Sequence, residues 1–142
     1  MNLNSILPSF FYARSTQLLR WAIGINYFWF GILKFFSGLS PAENLAKDTI
    51  RILTFGIIPD NVNLLLLAIW EVGIGVIFLS GRFTKLGAQA AVLHMIFTFM
   101  PLFFFPEASF THAPYGFTIV GQYIVKNLVF LAALVVILKE QK

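Results

Sequence analysis

Apolar residues run along this chain in four long stretches, Leu18 to Phe36, Val62 to Ser80, Leu86 to Phe105 and Ile119 to Leu138, separated by polar intervals. A helix needs about 20 mostly apolar residues to cross a hydrocarbon core, so each stretch predicts one membrane span. The interval from Ser40 to Ile58 has a pattern of its own. It opens with Ser-Pro-Ala-Glu, in which Ser40 reads as an N-cap, Pro41 as the first helical residue and Glu43 as its capping-box partner. Leu45, Ile50, Leu53 and Ile57 then recur among polar residues, as in a helix lying on a membrane surface. The pattern predicts an all-α protein, an integral membrane four-helix bundle formed by a single domain over residues 1–142, with a surface helix in the first outer loop.

Composition strengthens this picture. Hydrophobic residues make up 58% of the 142 and charged residues 11%, against about 25% charged in soluble domains. Mean hydropathy is +0.82, so the lipid bilayer is the expected partner. The net charge of +4 is spread over span ends and forms no stripe, which argues against nucleic acid as a partner. Cysteine is absent, which removes a thiol relay or thiolate metal site of the chain's own. The segment Met1 to Arg20 has no short apolar core ending in a cleavage site, so no removed signal peptide is expected.

Basic residues set the expected orientation. Arg14 and Arg20 precede the first span, Arg82 and Lys85 separate the second from the third, and Lys139 and Lys142 follow the fourth. These positions fall on one side. On the other, Lys47 and Arg51 are accompanied by Glu43 and Asp48, and residues 106–118 carry no basic side chain other than His112. Both termini are therefore expected to be cytoplasmic, in a bacterial cytoplasmic membrane.

Glu71, His94 and Lys126 stand inside the apolar stretches, where a charge costs roughly 2.5–3.5 kcal/mol on insertion scales. Counting the helix rise inward from the outer ends places Glu71 and Lys126 roughly 12–14 Å deep, with His94 about one turn deeper. These three are the candidate catalytic residues, and Glu71 with Lys126 is the expected ion pair between spans two and four. Lys34, near the outer end of span one, has the reach to place its ammonium in water. Spacing aligns Leu64, Ala68, Glu71 and Gly75 on span two, and Gly87, Ala91, His94 and Thr98 on span three. On span one it aligns Asn26, Phe30 and Lys34, and on span four Gln122 and Lys126 with Tyr123 and Asn127 beside them. Each face is one that a helix would turn away from lipid. The outer loop with Glu107, His112 and Tyr115 is a candidate lid, and no metal site can be assigned from it. A second intramembrane histidine for bis-histidine haem ligation is lacking.

The stretches GILKFFSGLSPAENLA, WEVGIGVIFLSGRF, LHMIFTF and FPEASFTHAPYGFTIVGQYIVKN resemble the DoxX family of small prokaryotic membrane proteins. The resemblance runs along nearly the whole chain after its first residues. It implies a four-helix membrane bundle and an association with redox chemistry, since the family is named after a subunit of a thiosulfate:quinone oxidoreductase. The family pattern falls on Lys34, Glu71, His94, Glu107, His112, Gln122, Tyr123, Lys126 and Asn127. Lys34, Glu107, His112, Gln122, Tyr123 and Asn127 are accordingly the candidate ligand-binding residues.

Three functions compete. In the first the chain is a redox-associated subunit binding quinone, or a similar hydrophobic ligand, at the intramembrane polar layer. Its electrons then come from another subunit of a membrane or redox complex, or from a bound cofactor. The second is an assembly or scaffold subunit without catalysis. The third is a proton or small-solute conduit.

Overall fold

The computed structural model describes residues 14–141. Residues 1–13, which hold most of the segment expected to lack a cleaved signal, and Lys142 lie outside the described residues. The described chain is an all-α membrane protein apart from one short hairpin. Its elements are α1 (Ser15–Leu33), α2 (Glu43–Leu53), α3 (Asp60–Ser80), α4 (Thr84–Thr98), α5 (Pro101–Phe104), α6 (Pro106–Ser109), β1 (Phe110–His112), β2 (Gly116–Phe117) and α7 (Ile119–Glu140). Strands β1 and β2 pair antiparallel around a cis Ala113–Pro114 bond.

Among the described residues, three segments are long and apolar enough to cross a membrane: Asp60–Ser80, Thr84–Phe104 and Ile119–Glu140. The first helix, of 19 residues, carries Arg20 and Asn26 in its length and is not among them. All four long helices nevertheless pack in a ring, α1 along α3, α3 on α4, α4 on α7 and α7 on α1. The core draws on each of them: Ile23 and Tyr27 of α1, Ile74 and Phe78 of α3, Ala88, Ala91 and Met95 of α4, Leu134 and Ile137 of α7.

The closest helix contact is between α1 and α3, and glycine is its cause. A Cβ at Gly75 would stand 2.6 Å from the Phe28 backbone nitrogen, and one at Gly31 would stand 2.8 Å from that of Val72. Small residues let helix backbones approach where lipid offers no hydrophobic drive to associate. Helix α3 stops at Gly81, which takes the left-handed conformation (φ 73°) that ends many helices. The Arg20 guanidinium packs directly over this turn.

Two boundaries differ from expectation. The interior of the predicted span Leu86 to Phe105 breaks after Thr98, because Pro101 has no N–H to donate and a new short helix starts there. Helix α2 begins at Glu43, preceded by Ala42, without a side-chain cap. Ser40 offers only its carbonyl, which accepts the Glu43 N–H at 3.2 Å. The Glu43 carboxylate does reach back, but to the Gly38 N–H at 2.7 Å, while Lys47 one turn on donates to its other oxygen at 2.6 Å. These two bonds hold the Glu43 carboxyl below the usual carboxylate range. At the far end of α2, Arg51 pairs with Asp60 at the start of α3, which fastens both ends of the segment.

Candidate functional site

The polar centre is built from α1, α3 and α4. Gly24, Tyr27, Gly31 and Lys34 fall on one face of α1, and the glycines on that face bring it against α3. At this contact Lys34 Nζ donates to Glu71 Oε2 at 2.6 Å and lies 3.4 Å from the Phe30 carbonyl. The other carboxylate oxygen, Oε1, lies 3.4 Å from His94 Nε2. On its far side the imidazole meets Tyr27, whose hydroxyl is 3.1 Å from His94 Nδ1 and donates to the Ala91 carbonyl at 3.3 Å. The tyrosine ring also meets the imidazole edge-on, with centroids 5.5 Å apart. A continuous polar line therefore runs Lys34, Glu71, His94, Tyr27, Ala91.

This line is sheltered. The side chains of Lys34, Glu71 and His94 are 11%, 8% and 12% exposed, and Tyr27 is buried. Removing two opposite charges from water costs several kcal/mol each, so they persist at such a place only in contact. A carboxylate and an imidazole placed side by side can pass a proton between them, and the ammonium at the other oxygen holds the carboxylate in position.

The expected pairing of Glu71 with Lys126 is corrected by this geometry. The partner of Glu71 is Lys34, from the first helix. Lys126 is exposed, with its ammonium 5.2 Å from the centre of the Tyr123 ring three residues earlier. Its stem thus leans toward the start of α7, as a lysine does when it reaches for the membrane edge. The expected hidden face of α7 is corrected with it. Gln122, Tyr123 and Lys126 are exposed, whereas Gly121, Ile124, Leu134 and Ile137 are buried. Asn127 turns inward and donates to Thr98 of α4 at 3.0 Å.

On α1, Phe30 is exposed and Asn26 donates to its own helix at Ala22, 2.9 Å away, so the buried face lies one residue over. The faces expected on α3 and α4 do turn inward. Leu64, Ala68, Glu71, Gly75, Gly87 and Ala91 are buried, and His94 and Thr98 are half-buried. In the outer loop Glu107, His112 and Tyr115 are all exposed. The loop is nonetheless fastened: the Ser109 hydroxyl donates to the Pro101 carbonyl at 3.2 Å, and Thr118 donates to that of Ala108 at 2.7 Å.

Tyr27 is the residue that sequence reasoning missed. Its signal was the seven-residue spacing from Tyr27 to Lys34, matched by the spacing from Gly24 to Gly31. Among the described residues no three His, Asp or Glu side chains gather as a metal site would need.

No curated protein and no solved structure matches the chain. A sequence model of the DoxX family matches residues 15–106, from the first residue of α1 to the proline that opens α6. That stretch contains Tyr27, Lys34, Glu71 and His94, and it ends before Glu107, His112 and the whole of α7. With well over half of its length matched, and with apolar helices that suit a bilayer, the chain belongs to the DoxX family of membrane proteins.

Proposed function

We propose that this protein is a redox-associated membrane subunit that binds quinone, or a similar hydrophobic ligand, beside a buried proton-exchanging centre. The observation that carries this reading is the sheltered contact of Glu71 with both Lys34 and His94. Reduction of a quinone consumes protons as well as electrons. Glu71 and His94 carry the proton, and Lys34 keeps the carboxylate oriented from the end of α1. Electrons come from a partner subunit or a bound cofactor, since no electron carrier belongs to the chain's own residues. The reading includes one domain over residues 1–142 with four spans in a bacterial cytoplasmic membrane. Both termini are cytoplasmic, and α2 lies along the outer surface.

Organic extraction of mildly purified protein, followed by mass spectrometry, tests the reading. The expected result is a retained quinone that is lost in Glu71→Gln and in His94→Leu with folding intact, and kept in Lys126→Met. Phospholipid alone, in the same amounts in all four proteins, overturns it.

A scaffold role has its own support. Two cavities among the described residues are lined elsewhere. One of about 370 Å³ lies by Arg14, Arg20, Thr84 and Glu140, and a groove of about 140 Å³ lies between Asn26 of α1 and Phe130 of α7. In this second reading the polar line ties three helices together and its partner is another membrane subunit.

A further inference from the structure

The Tyr27 hydroxyl has one hydrogen and two neighbours that can take it. The Ala91 carbonyl, at 3.3 Å, only accepts. His94 Nδ1, at 3.1 Å, accepts when bare and donates when protonated. The hydroxyl cannot donate to both at once, so its direction is tied to the protonation of Nδ1. Nor is Ala91 left unpaired when the hydroxyl turns away. Its carbonyl lies within α4, whose backbone ladder supplies a second donor four residues on.

On the other edge of the ring, Nε2 lies 3.4 Å from Glu71 Oε1. We infer that Tyr27 is a positioning residue that sets which ring nitrogen of His94 carries the proton, turning its hydroxyl between Nδ1 and the Ala91 carbonyl as the Glu71–His94 pair takes up one proton. This deepens the proton-exchanging reading above and rests on it.

The two end states balance with a single proton drawn from water. In the unloaded state the Tyr27 hydroxyl donates to Nδ1, the ring proton is on Nε2 beside the Glu71 carboxylate, and Lys34 is charged. In the loaded state Nδ1–H donates to the Tyr27 oxygen, and the hydroxyl donates to Ala91. One proton is then held between Nε2 and Oε1, on either atom. No heavy-atom bond forms or breaks.

The charges around the centre are accounted for on each packed element. Lys34 of α1 faces Glu71 of α3. Helix α7 sends neutral Asn127 to Thr98 and keeps Lys126 over its own Tyr123. Helix α2 holds Glu43 on Lys47. Within these contacts, Tyr27 is the neighbour that reads the Nδ1 side of the ring.

The test is nitrogen-15 NMR of labelled histidine in bilayers, in a His112→Gln background that leaves His94 as the only histidine. In the protein with Tyr27 intact, the ring is expected to carry its proton on Nε2 at the alkaline end. On acidification Nδ1 becomes protonated. In Tyr27→Phe, Nδ1–H would have no acceptor, so Nδ1 is expected to stay bare at least one pH unit further into the acid range. Where Tyr27→Phe does not fold, 3-fluorotyrosine installed at position 27 keeps the shape and makes a better donor but a poorer acceptor, which displaces the conversion to lower pH.

Three results overturn the inference: Nδ1 already protonated at the alkaline end, Nδ1 still bare at the acid end, or the same curve with the altered residue 27. Mass spectrometry of the same samples for quinone separates the two claims. A protein that shows the tautomer change but retains no quinone sinks the redox reading and leaves the role of Tyr27 standing.

Discussion

At the scale of single residues, the Lys34–Glu71 contact has an asymmetry that mutation can expose. Lys34 stands at the end of α1, where a freed ammonium can extend toward water, whereas Glu71 lies within α3 and has no such route. Lys34→Met is therefore expected to be the more damaging change, near the roughly 3 kcal/mol typical of a broken buried pair, with Glu71→Gln less costly. The double variant should recover part of the loss, and Lys126→Met should leave the detergent melting temperature in place. Additive losses, or an equal drop in Lys126→Met, would show that the pair does not hold the helices. Depth counting found Glu71 and His94, because a charge in an apolar run is visible without a structure. Depth counting also chose Lys126 over Lys34, because depth says nothing about the azimuth of a lysine, and a four-carbon stem can lean three residues along its helix. Tyr27 was hidden by company: in a helix with Trp21, Phe28, Trp29 and Phe30 it reads as another interface ring.

At the scale of elements, the glycines of α3 divide by what they face. A side chain at Gly75 would enter the backbone of Phe28, while Gly73 has nothing within 4 Å of its added Cβ. Gly75→Val is expected to cost about 1–3 kcal/mol through forced separation of α1 and α3, and Gly73→Ala to stay within about 0.5 kcal/mol of the parent. Matching melting temperatures for the two variants would refute the close packing. The turn into α2 has a pH dependence of known sign. Glu43 is held low by the Lys47 side chain first and the Gly38 amide second. A carboxylate held low contributes stability that is present above its ordinary range and lost as the pH falls through its lowered value. Protection of the Gly38 amide from hydrogen exchange, corrected for the intrinsic rate, should therefore disappear only in that acid window, and should already be absent at neutral pH in Glu43→Ala, which leaves no acceptor there. Hydropathy located these elements well, since burial on α3 and α4 follows spacing. Their ends were less legible. The choice between Ser40 and Ala42 as the residue before α2 depends on where Glu43 finds an amide, and Gly38 is brought within reach only by its own left-handed turn (φ 81°).

At the scale of the whole molecule, several basic residues of the described chain gather at one end. Arg14 and Arg20 line a common cavity with Thr84 and Glu140, which puts the start of α1, the start of α4 and the end of α7 together. Arg82 and Lys85 lie in and beside the turn between α3 and α4 at that same end. At the opposite end Lys47 bonds Glu43, and Arg51 pairs with Asp48 and Asp60. Positive residues near span ends are retained on the cytoplasmic side, and acidic residues contribute little to that bias. On the proposed reading, in which α1 crosses together with the other three long helices, this distribution puts the Arg20 end inside and the α2 end outside. The less apolar α1 makes this worth testing. Its burial against α3 through Gly24, Gly31 and Gly75 offers it a protein environment instead of lipid along that face, which lowers the apolarity it needs. A reporter active only in the cytoplasm should work when fused within residues 82–85 or after Glu140, and should fail within residues 106–118. A fusion ahead of Arg14 distinguishes four crossings from three, because with four crossings it shares the side of the Glu140 fusion and with three it does not. Activity in the 106–118 loop would invert the molecule and place Lys34 and its carboxylate near the cytoplasmic face, with the proton then drawn from the cell interior.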